Sequence, residues 1–208
     1  MSVTRVILLR HGETVWNLEG RYQGQLDSPL TPFGLAQARA LGKRLGGIKF
    51  SALYSSDLGR ARQTAACLAE FSAHEIRIEP RLRERHLGIF QNLGKAGMKE
   101  KLPDEYRLFK SGGPDHVIPQ GESGRQAADR TNTCLEELAR RHAGEIIVVV
   151  AHGGTVSALL RHTLSIPLEA PRRFERSNAS WNVFNFDDGK WFLETWGDVS
   201  HLDADGDR

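Results

Sequence analysis

Two apolar stretches of this chain end in the same way, with a histidine followed by a glycine. Residues 6–9 run into Arg10 and His11, and residues 146–151 run into His152. Short runs of branched aliphatic residues bounded by glycine predict buried strands of a parallel sheet. Ligands of open α/β sheets bind at the carboxyl ends of such strands, so both histidines are expected at a ligand site. The alternative is a pair of helix-capping or core histidines, but two matching contexts, one beside an arginine, favour a site.

The remaining patterns predict an α/β fold. Apolar residues recur at helical spacing in 33–46 and after Ser123, and they alternate at strand spacing in 76–78. Two aromatic-rich stretches, 181–186 and 191–196, flank an Asp-Asp-Gly-Lys turn, which predicts a hairpin. The expected structure has three layers: a mostly parallel central sheet with helices on both faces. A small helical covering insertion and a C-terminal hairpin complete it.

Residues 1–208 are expected to form a single domain, a common size for one α/β unit. The stretch at about 89–121 is more polar than its surroundings and contains Gly-Gly-Pro and Pro-Gln-Gly turns. We expect it to be an insertion with its own helix that covers the site.

The charge balance restricts the partners. The chain has 28 basic and 26 acidic side chains and a net charge of +2, which gives no general attraction to nucleic acid or to a membrane. The two cysteines, Cys67 and Cys134, lie far apart in predicted helices and are expected to be reduced. Neither a signal peptide nor a membrane span is visible, so the cytoplasm is the expected location. The oligomeric state stays open, because Trp181, Trp191 and Trp196 fit either the core or an interface.

His11 has the neighbours that phosphoryl chemistry needs. A neutral imidazole can attack phosphorus and carry the phosphoryl group covalently. Arg10 can hold phosphate oxygens through its planar guanidinium. Gly12 would let the backbone approach a ligand closely. These residues predict a phosphate site at the end of the first strand.

Arg60 and Glu84 are further candidate site residues, and the role of each depends on the residues around it. Asp57 is a plausible N-cap of a helix that carries Arg60 in its first turn, where a cation opposes the helix dipole and suggests a nearby anionic ligand. A carboxyl group near phosphate is protonated more readily, which makes Glu84 a candidate general acid for the leaving alcohol. Taken alone, Arg60 is better explained as an exposed helical arginine, and Glu84 as a surface ion pair with Arg83 or Arg85.

Four motifs in one order carry a resemblance to a known family. They are Arg10-His11-Gly12, the Leu-x-Arg-Ala-x-Gln-Thr run around Arg60, the Leu-x-Glu-x-x-x-Gly run at 82–88, and Ala151-His152-Gly153. The chain resembles the histidine phosphatase superfamily, which has the phosphoglycerate mutase-like fold, from residue 3 to about residue 201. The resemblance implies phosphohistidine formation on His11, a phosphate pocket of Arg10, Arg60 and His152, and proton donation by Glu84.

The resemblance also implies contacts to phosphate or substrate outside these motifs. The positions are Asn17, Gln23 and Gly24, and Gly153 is added to them as a candidate contact. Gln23 stands where the family often has a small hydroxylated residue. The resemblance implies no metal or other cofactor, and the remaining histidines are scattered without ligand spacing. The expected partner is a small anionic phosphorylated substrate.

Within the family, the sequence favours a phosphatase over a phosphoglycerate mutase. Leu87 replaces a tyrosine of the mutases, Gly154 stands where they place an asparagine, and the covering segment lacks their adjacent arginine pair. Residues 119–123 and 197–202 resemble the broad-specificity phosphatase branch. The expected activity is hydrolysis of small phosphorylated metabolites through a phosphohistidine intermediate.

Two alternatives remain at this point. One is a cofactor-dependent phosphoglycerate mutase, which shares the phosphohistidine step. The other is a non-catalytic phosphate-binding regulatory domain. Loss of His11 or Glu84 would mark the second alternative, and both residues are present.

Overall fold

The computed structural model describes residues 2–202, whose strands form one mixed sheet of six strands. The strands are β1 (Thr4–Arg10), β2 (Ala52–Ser55), β3 (Ile76–Ile78), β4 (Ile146–Ala151), β5 (Trp181–Asp187) and β6 (Lys190–Asp198). They lie in the order β3-β2-β4-β1-β5-β6. The first four run parallel to one another, β5 is antiparallel to β1, and β6 is antiparallel to β5. The predicted, mostly parallel sheet and the C-terminal hairpin are confirmed.

Helices connect the strands. They are α1 (Val15–Leu18), α2 (Pro32–Leu45), α3 (Gly59–Ser72), α4 (Lys95–Lys101), α5 (Pro103–Ser111), α6 (Gly124–Arg141) and α7 (Gly153–Thr163). Short 3₁₀ turns lie at Pro80–Leu82, Gly88–Phe90 and Ser200–Leu202. Within the described residues, none of the helices combines the length and apolar character that a membrane span needs.

The central strand β1 explains why both faces of the sheet carry helices. Val6 and Leu8 pack in one apolar cluster with residues of α6 and α7. Ile7 and Leu9 pack in a second cluster with residues of α2 and α3. All four side chains are fully buried, and neighbours along a strand point to opposite faces. The three-layer arrangement therefore follows from an uninterrupted apolar run in the middle of the sheet.

The tryptophans and cysteines belong to the core. Trp181 and Trp191 are buried in the apolar clusters, and Trp196 packs against one of them. Cys67 and Cys134 are free and buried, as the sequence predicted. Burial raises the pKa of the Cys134 thiol to about 12, which suits an inert core residue.

The segment between the 3₁₀ turn at Gly88–Phe90 and α6 contains the two short helices α4 and α5, where one helix was expected. Phe90, Met98 and Ile118 form a small core of its own, separate from the clusters on the sheet. That the segment covers the site during the reaction stays a prediction.

Candidate active site

The two histidines are brought together by the register of two neighbouring strands. Arg10 in β1 pairs with Ala151 in β4, so His11 and His152 both follow the last paired residues. The backbone N–H of His11 donates to the carbonyl of Ala151 at 3.0 Å. The imidazole centroids lie 5.3 Å apart, and both side chains are almost completely buried. The repeated motif thus places both rings at the carboxyl edge of the sheet.

The hydrogen bonds of His11 select its tautomer. Nδ1 lies 2.7 Å from the carbonyl oxygen of Gly12. Because a carbonyl oxygen only accepts, Nδ1 carries the proton and donates. The lone pair of the neutral ring is therefore on Nε2, the atom that can act as a nucleophile.

His152 has the opposite arrangement. Its Nε2 lies 2.9 Å from Oγ of Ser56, and that hydroxyl also accepts from the N–H of Leu58 at 3.3 Å. The Ser56 hydroxyl can therefore donate to Nε2, which leaves the proton of a neutral His152 on Nδ1. Nδ1 is buried and has no partner among the described residues. An N–H in this position is available to an anionic ligand.

Both imidazoles are neutral over the range in which histidine usually titrates. Burial, and then the charges of Arg60 and Arg10, lower the pKa of His11 well below its ordinary value of 6.5. Burial also lowers the pKa of His152 well below that value, with Arg60 and His11 as the next contributions. A neutral His11 keeps its lone pair available at and below neutral pH.

Arg60 is held in place by the loop that precedes α2. Its Nη1 donates to the carbonyl of Leu26 and to Oδ1 of Asp27, each at 2.9 Å, and its Nη2 donates to the carbonyl of Gly24 at 2.8 Å. The side chain is only 1% exposed, so the interpretation as an exposed helical arginine is wrong. Nε has no partner and, with Nε of Arg10, is a buried donor in the same cavity.

The predicted N-cap of α3 is wrong. Leu58 occupies the N-cap position, and Asp57 instead forms an ion pair with Arg83. The backbone N–H groups of Gly59 and Arg60 donate to the carboxylate of Asp27, which lies far away in sequence. Spacing along the chain could not indicate a cap supplied by a different loop.

Glu84 faces the start of α7. Its Oε2 accepts from the N–H of Gly154 at 2.9 Å, and its Oε1 accepts from the N–H of Arg85 at 2.8 Å. Its charge acts on Arg10, Arg60 and Arg176. Glu84 forms no salt bridge with either neighbouring arginine among the described residues, so the simple surface pair is wrong. The carboxyl group lines the same cavity as His11.

An open cavity of about 930 Å³ lies beside these residues, and His152, which is fully buried, is not among its lining residues. His11, Arg10, Arg60 and Glu84 line it. The described part of the chain holds no group of three or more His, Cys, Asp or Glu side chains that could bind a metal ion. The available chemistry is a neutral imidazole nucleophile beside unpaired N–H donors and a carboxyl group, which suits phosphoryl transfer.

Comparison with known proteins decides the family. Residues 6–199 match the histidine phosphatase superfamily, branch 1. A metal-independent phosphoserine phosphatase of Arabidopsis thaliana is 44% identical over 99% of this chain and 86% of its own length. Phosphoglycerate mutase-like protein 4 of the same plant is 41% identical over 99% of this chain and 90% of its own. A mycobacterial glucosyl-3-phosphoglycerate phosphatase structure is 35% identical, covers 93% of this chain and 98% of its own, and has a TM-score of 0.81.

The chain belongs to the histidine phosphatase superfamily. It is a phosphomonoester hydrolase, and its reaction passes through a phosphohistidine intermediate. The order of its motifs, its mixed α/β sheet and its paired histidines agree with that membership.

The additional candidate contacts of this histidine phosphatase lie at one side of the cavity. Asn17, Gln23 and Gly24 line it, whereas Gly153 lies behind Arg10 and does not. Asn17 accepts from Asn178 at 3.2 Å, and Gln23 donates to Thr14 at 2.8 Å. Both side chains are therefore held by their neighbours.

Gly12 has a packing role that its sequence context did not indicate, and its close approach to a ligand stays a prediction. A Cβ on this residue would overlap the carbonyl oxygen of Gly34, in the first turn of α2. Gly12 therefore allows α2 to pack close to the end of β1.

Sequence reasoning missed a second group of residues on the segment before β5. The side chain of Arg10 donates to the carbonyl of Arg176, and the amide of Asn178 donates to the carbonyls of His11 and Gly12. Arg172 and Arg176 also line the cavity. The basic run at 172–176 is the signal that could have indicated them.

Proposed function

We propose that this phosphatase hydrolyses small phosphorylated metabolites with His11 as the nucleophile and Glu84 as the acid and base. The observation that carries the proposal is the tautomer of His11. Nδ1 donates its proton to the carbonyl of Gly12. The lone pair is therefore on Nε2, beside the unpaired donors of the cavity.

In the first step, the lone pair of His11 Nε2 forms a bond to phosphorus and the ester P–O bond breaks. The leaving alcohol oxygen takes the proton of a protonated Glu84. Arg10, Arg60 and the Nδ1–H of His152 hold the phosphoryl oxygens, where negative charge is spread in the transition state. Burial and Arg176 lower the pKa of Arg10 to about 10, so it remains a cation at neutral pH.

In the second step, water attacks the phosphohistidine. Glu84, now a carboxylate, takes a proton from that water, and the electrons of the P–N bond return to Nε2. Inorganic phosphate leaves, and both His11 and Glu84 regain their starting forms. The two steps together need no metal, redox group or second substrate.

We propose phosphoserine as the first substrate to test, because an Arabidopsis relative at 44% identity is named for it. Phosphoglycerate isomerisation is the second candidate, since another relative at 41% identity carries a mutase-like name. A non-catalytic phosphate-binding role has less support, because His11 and Glu84 are both present in one cavity. The cytoplasm remains the proposed location, and the free thiols of Cys67 and Cys134 support it.

The test is a rapid-mixing experiment with phosphoserine labelled in its phosphate. We expect an acid-labile phosphorylated protein within the first turnover, with the label on His11 by peptide mapping. His11→Gln should abolish both the label and phosphate release. His162→Gln, which changes an exposed histidine of α7, is the matched control and should behave like the wild type.

Two outcomes would contradict the proposal. One is full turnover by the His11→Gln protein. The other is loss of activity on treatment with a chelator and its recovery with one divalent metal, because the two steps above use no ion. Phosphoglycerate isomerisation measured beside phosphate release separates the hydrolase from the mutase.

A further inference from the structure

The cavity contains more positive charge than one phosphate group requires. Its cationic lining residues are Arg10, Arg21, Arg60, Arg83, Arg85, Lys110, Arg161, Arg172 and Arg176, and its lining carboxylates are Glu84 and Glu169. Several of these cations are already engaged. Asp27 pairs with Arg60 at 2.9 Å, and Asp57 pairs with Arg83 at 2.5 Å. Only cations without such a partner are free to bind a ligand.

Among the described residues, Arg172, Arg176 and Lys110 are the lining cations without a fixed partner, and the two arginines lie on one segment. Neither side chain forms a salt bridge or a hydrogen bond within residues 2–202. Nε of Arg176 is buried, although the side chain as a whole is only partly buried. Arg172 is exposed on the cavity wall. A buried guanidinium N–H without an acceptor is costly unless a ligand supplies one.

Arg176 lies beside the phosphate-binding residues. A Cβ built on Gly153 would be 3.3 Å from Nε of Arg10 and 3.6 Å from Nη1 of Arg176, so the two guanidinium groups are neighbours. The charges that act on Arg176 include those of Glu84, Arg172 and Glu175. Asp27 already pairs with Arg60, so Glu84 is the lining carboxylate that Arg10 and Arg176 share.

The segment that carries both arginines is anchored before Arg172 and again between Arg172 and Arg176. The guanidinium of Arg161 donates to the carbonyls of Pro167 at 2.5 Å and Ala170 at 2.8 Å. Phe174 packs edge-on against Trp196, with ring centroids 5.4 Å apart. Preorganised donors lose less entropy when a ligand binds. The backbone that carries the arginines is thus fixed near the phosphate site before any substrate arrives.

We propose that Arg176, with Arg172 beside it, binds a carboxylate of the substrate. The preferred substrates are then small phosphomonoesters that carry a carboxylate a few bonds from the phosphate. This inference rests on the proposed function, because it assumes that Arg10, Arg60 and His152 hold the phosphate. A guanidinium binds a carboxylate through two parallel hydrogen bonds, which is the contact that two unpaired arginines can offer.

Two matched substrate pairs test the proposal. Phosphoserine differs from phosphoethanolamine only by its carboxylate, and 3-phosphoglycerate carries a carboxylate where glycerol 3-phosphate has a hydroxymethyl group. We expect the wild type to have a kcat/KM about tenfold to a hundredfold higher for the carboxylated member of each pair, as for hydrogen bonds between charged groups.

Arg176→Gln should remove most of this preference, and Arg172→Gln should remove less because Arg172 is more exposed. Arg176→Lys keeps the charge but not the planar fork, so it should retain an intermediate preference. Arg173→Gln is the matched control, since Arg173 is an exposed arginine of the same segment outside the cavity lining. It should retain the wild-type preference. Thermal unfolding of each variant checks that the fold is intact.

Two results would overturn the proposal. One is a wild-type enzyme that does not distinguish the members of either pair. The other is an equal loss on both members in Arg176→Gln, which would place Arg176 on the phosphate. If none of the four substrates releases phosphate and no phosphohistidine forms, the proposed function itself has failed, and this pattern differs from both results.

Discussion

Glu84 depends on a residue that has no side chain. Gly154 donates its N–H to Glu84 Oε2, and a Cβ on Gly154 would overlap Oε1 of the same carboxylate. The carboxyl group can occupy this position only because residue 154 is glycine. A larger residue there would displace Glu84 from the position it has here.

Gly154→Ala should therefore lower kcat for an alkyl phosphate by about tenfold or more, because a displaced general acid protonates the leaving oxygen poorly. KM should change less, since the phosphate-binding arginines do not move. Gly47→Ala is the control, because a Cβ there meets no atom within 4 Å. Steady-state kinetics that show the same kcat for both variants would contradict this role of Gly154.

Glu84→Gln tests whether Glu84 supplies a proton to the leaving alcohol, without changing the position of its side chain. The amide keeps the shape of the side chain but cannot supply a proton readily. With an alkyl phosphate, the rate of phosphorylation of His11 should fall by about a hundredfold to ten-thousandfold. With an aryl phosphate the loss should be much smaller, since its leaving group is already a weak base.

Burst kinetics should accompany this comparison, so that slow hydrolysis of the phosphohistidine is not mistaken for slow phosphorylation. An equal decrease of the phosphorylation step for both substrates would show that another group protonates the leaving alcohol.

At the scale of elements, the N-terminus of α3 joins the loop before α2 through a single carboxylate. Asp27 accepts from the N–H groups of Gly59 and Arg60 and also pairs with the Arg60 side chain. It therefore caps the helix and orients a phosphate-binding arginine at the same time.

Asp27→Ala should lower kcat/KM for phosphoserine by about tenfold to a hundredfold, because it frees the Arg60 guanidinium and uncaps the helix. Asp57→Ala, which removes the residue expected from sequence to be the cap, should have a smaller effect. The two variants should be compared by steady-state kinetics and by thermal unfolding. A larger loss of activity in Asp57→Ala would contradict the assignment of the cap.

Local signals were sufficient for the elements that build the sheet. The apolar runs at β1 and β4, the hairpin turn before Lys190 and the helix that follows Ser123 all lie where local chemistry placed them. The two histidines could be predicted because a parallel sheet aligns its strand ends.

The site residues that the sequence did not indicate act through contacts between segments that are distant along the chain. Asp27 reaches α3 across more than thirty residues, and the Arg176 carbonyl reaches Arg10 from near the other end of the chain. Gly12 packs against Gly34, which the sequence around it does not indicate. Helical or strand periodicity carries no information about such pairs, so only the fold could reveal them.

At the scale of the whole molecule, the neutral buried histidines make stability dependent on pH. The pKa values of His11 and His152 are lowered well below 6.5 in the folded protein. Below pH 6.5 the unfolded chain takes up protons at these positions that the folded protein does not. The free energy of unfolding therefore falls as the pH decreases from 6.5.

Urea unfolding at pH 7.5, 6.5 and 5.5 measures this effect. We expect a decrease of about 1 kcal/mol per histidine between pH 6.5 and 5.5, near the limit set by one proton per site. The double variant His11→Gln, His152→Gln should have a flatter dependence. An unchanged slope in the double variant would show that the two histidines are charged in the folded state.

A second decrease in the free energy of unfolding is expected at lower pH, because some carboxylates are paired with arginine. Arg83 lowers the pKa of Asp57, and Arg44 lowers that of Asp198, through hydrogen bonds to each carboxylate. Their contribution is present above the ordinary value of 3.8 and is lost as the pH falls through the lowered values.

The position of β1 in the sheet has a consequence for synthesis of the chain on the ribosome. This strand is translated first, yet its two neighbours are residues 146–151 on one side and residues 181–186 on the other. Until those segments emerge, an apolar strand has no hydrogen-bonding partner on either edge. Pairings between distant segments form slowly, and an unpaired apolar strand can associate with other chains. A nascent chain that stops before residue 146 therefore exposes the apolar run of β1 and lacks half of its histidine pair, so it should require a chaperone.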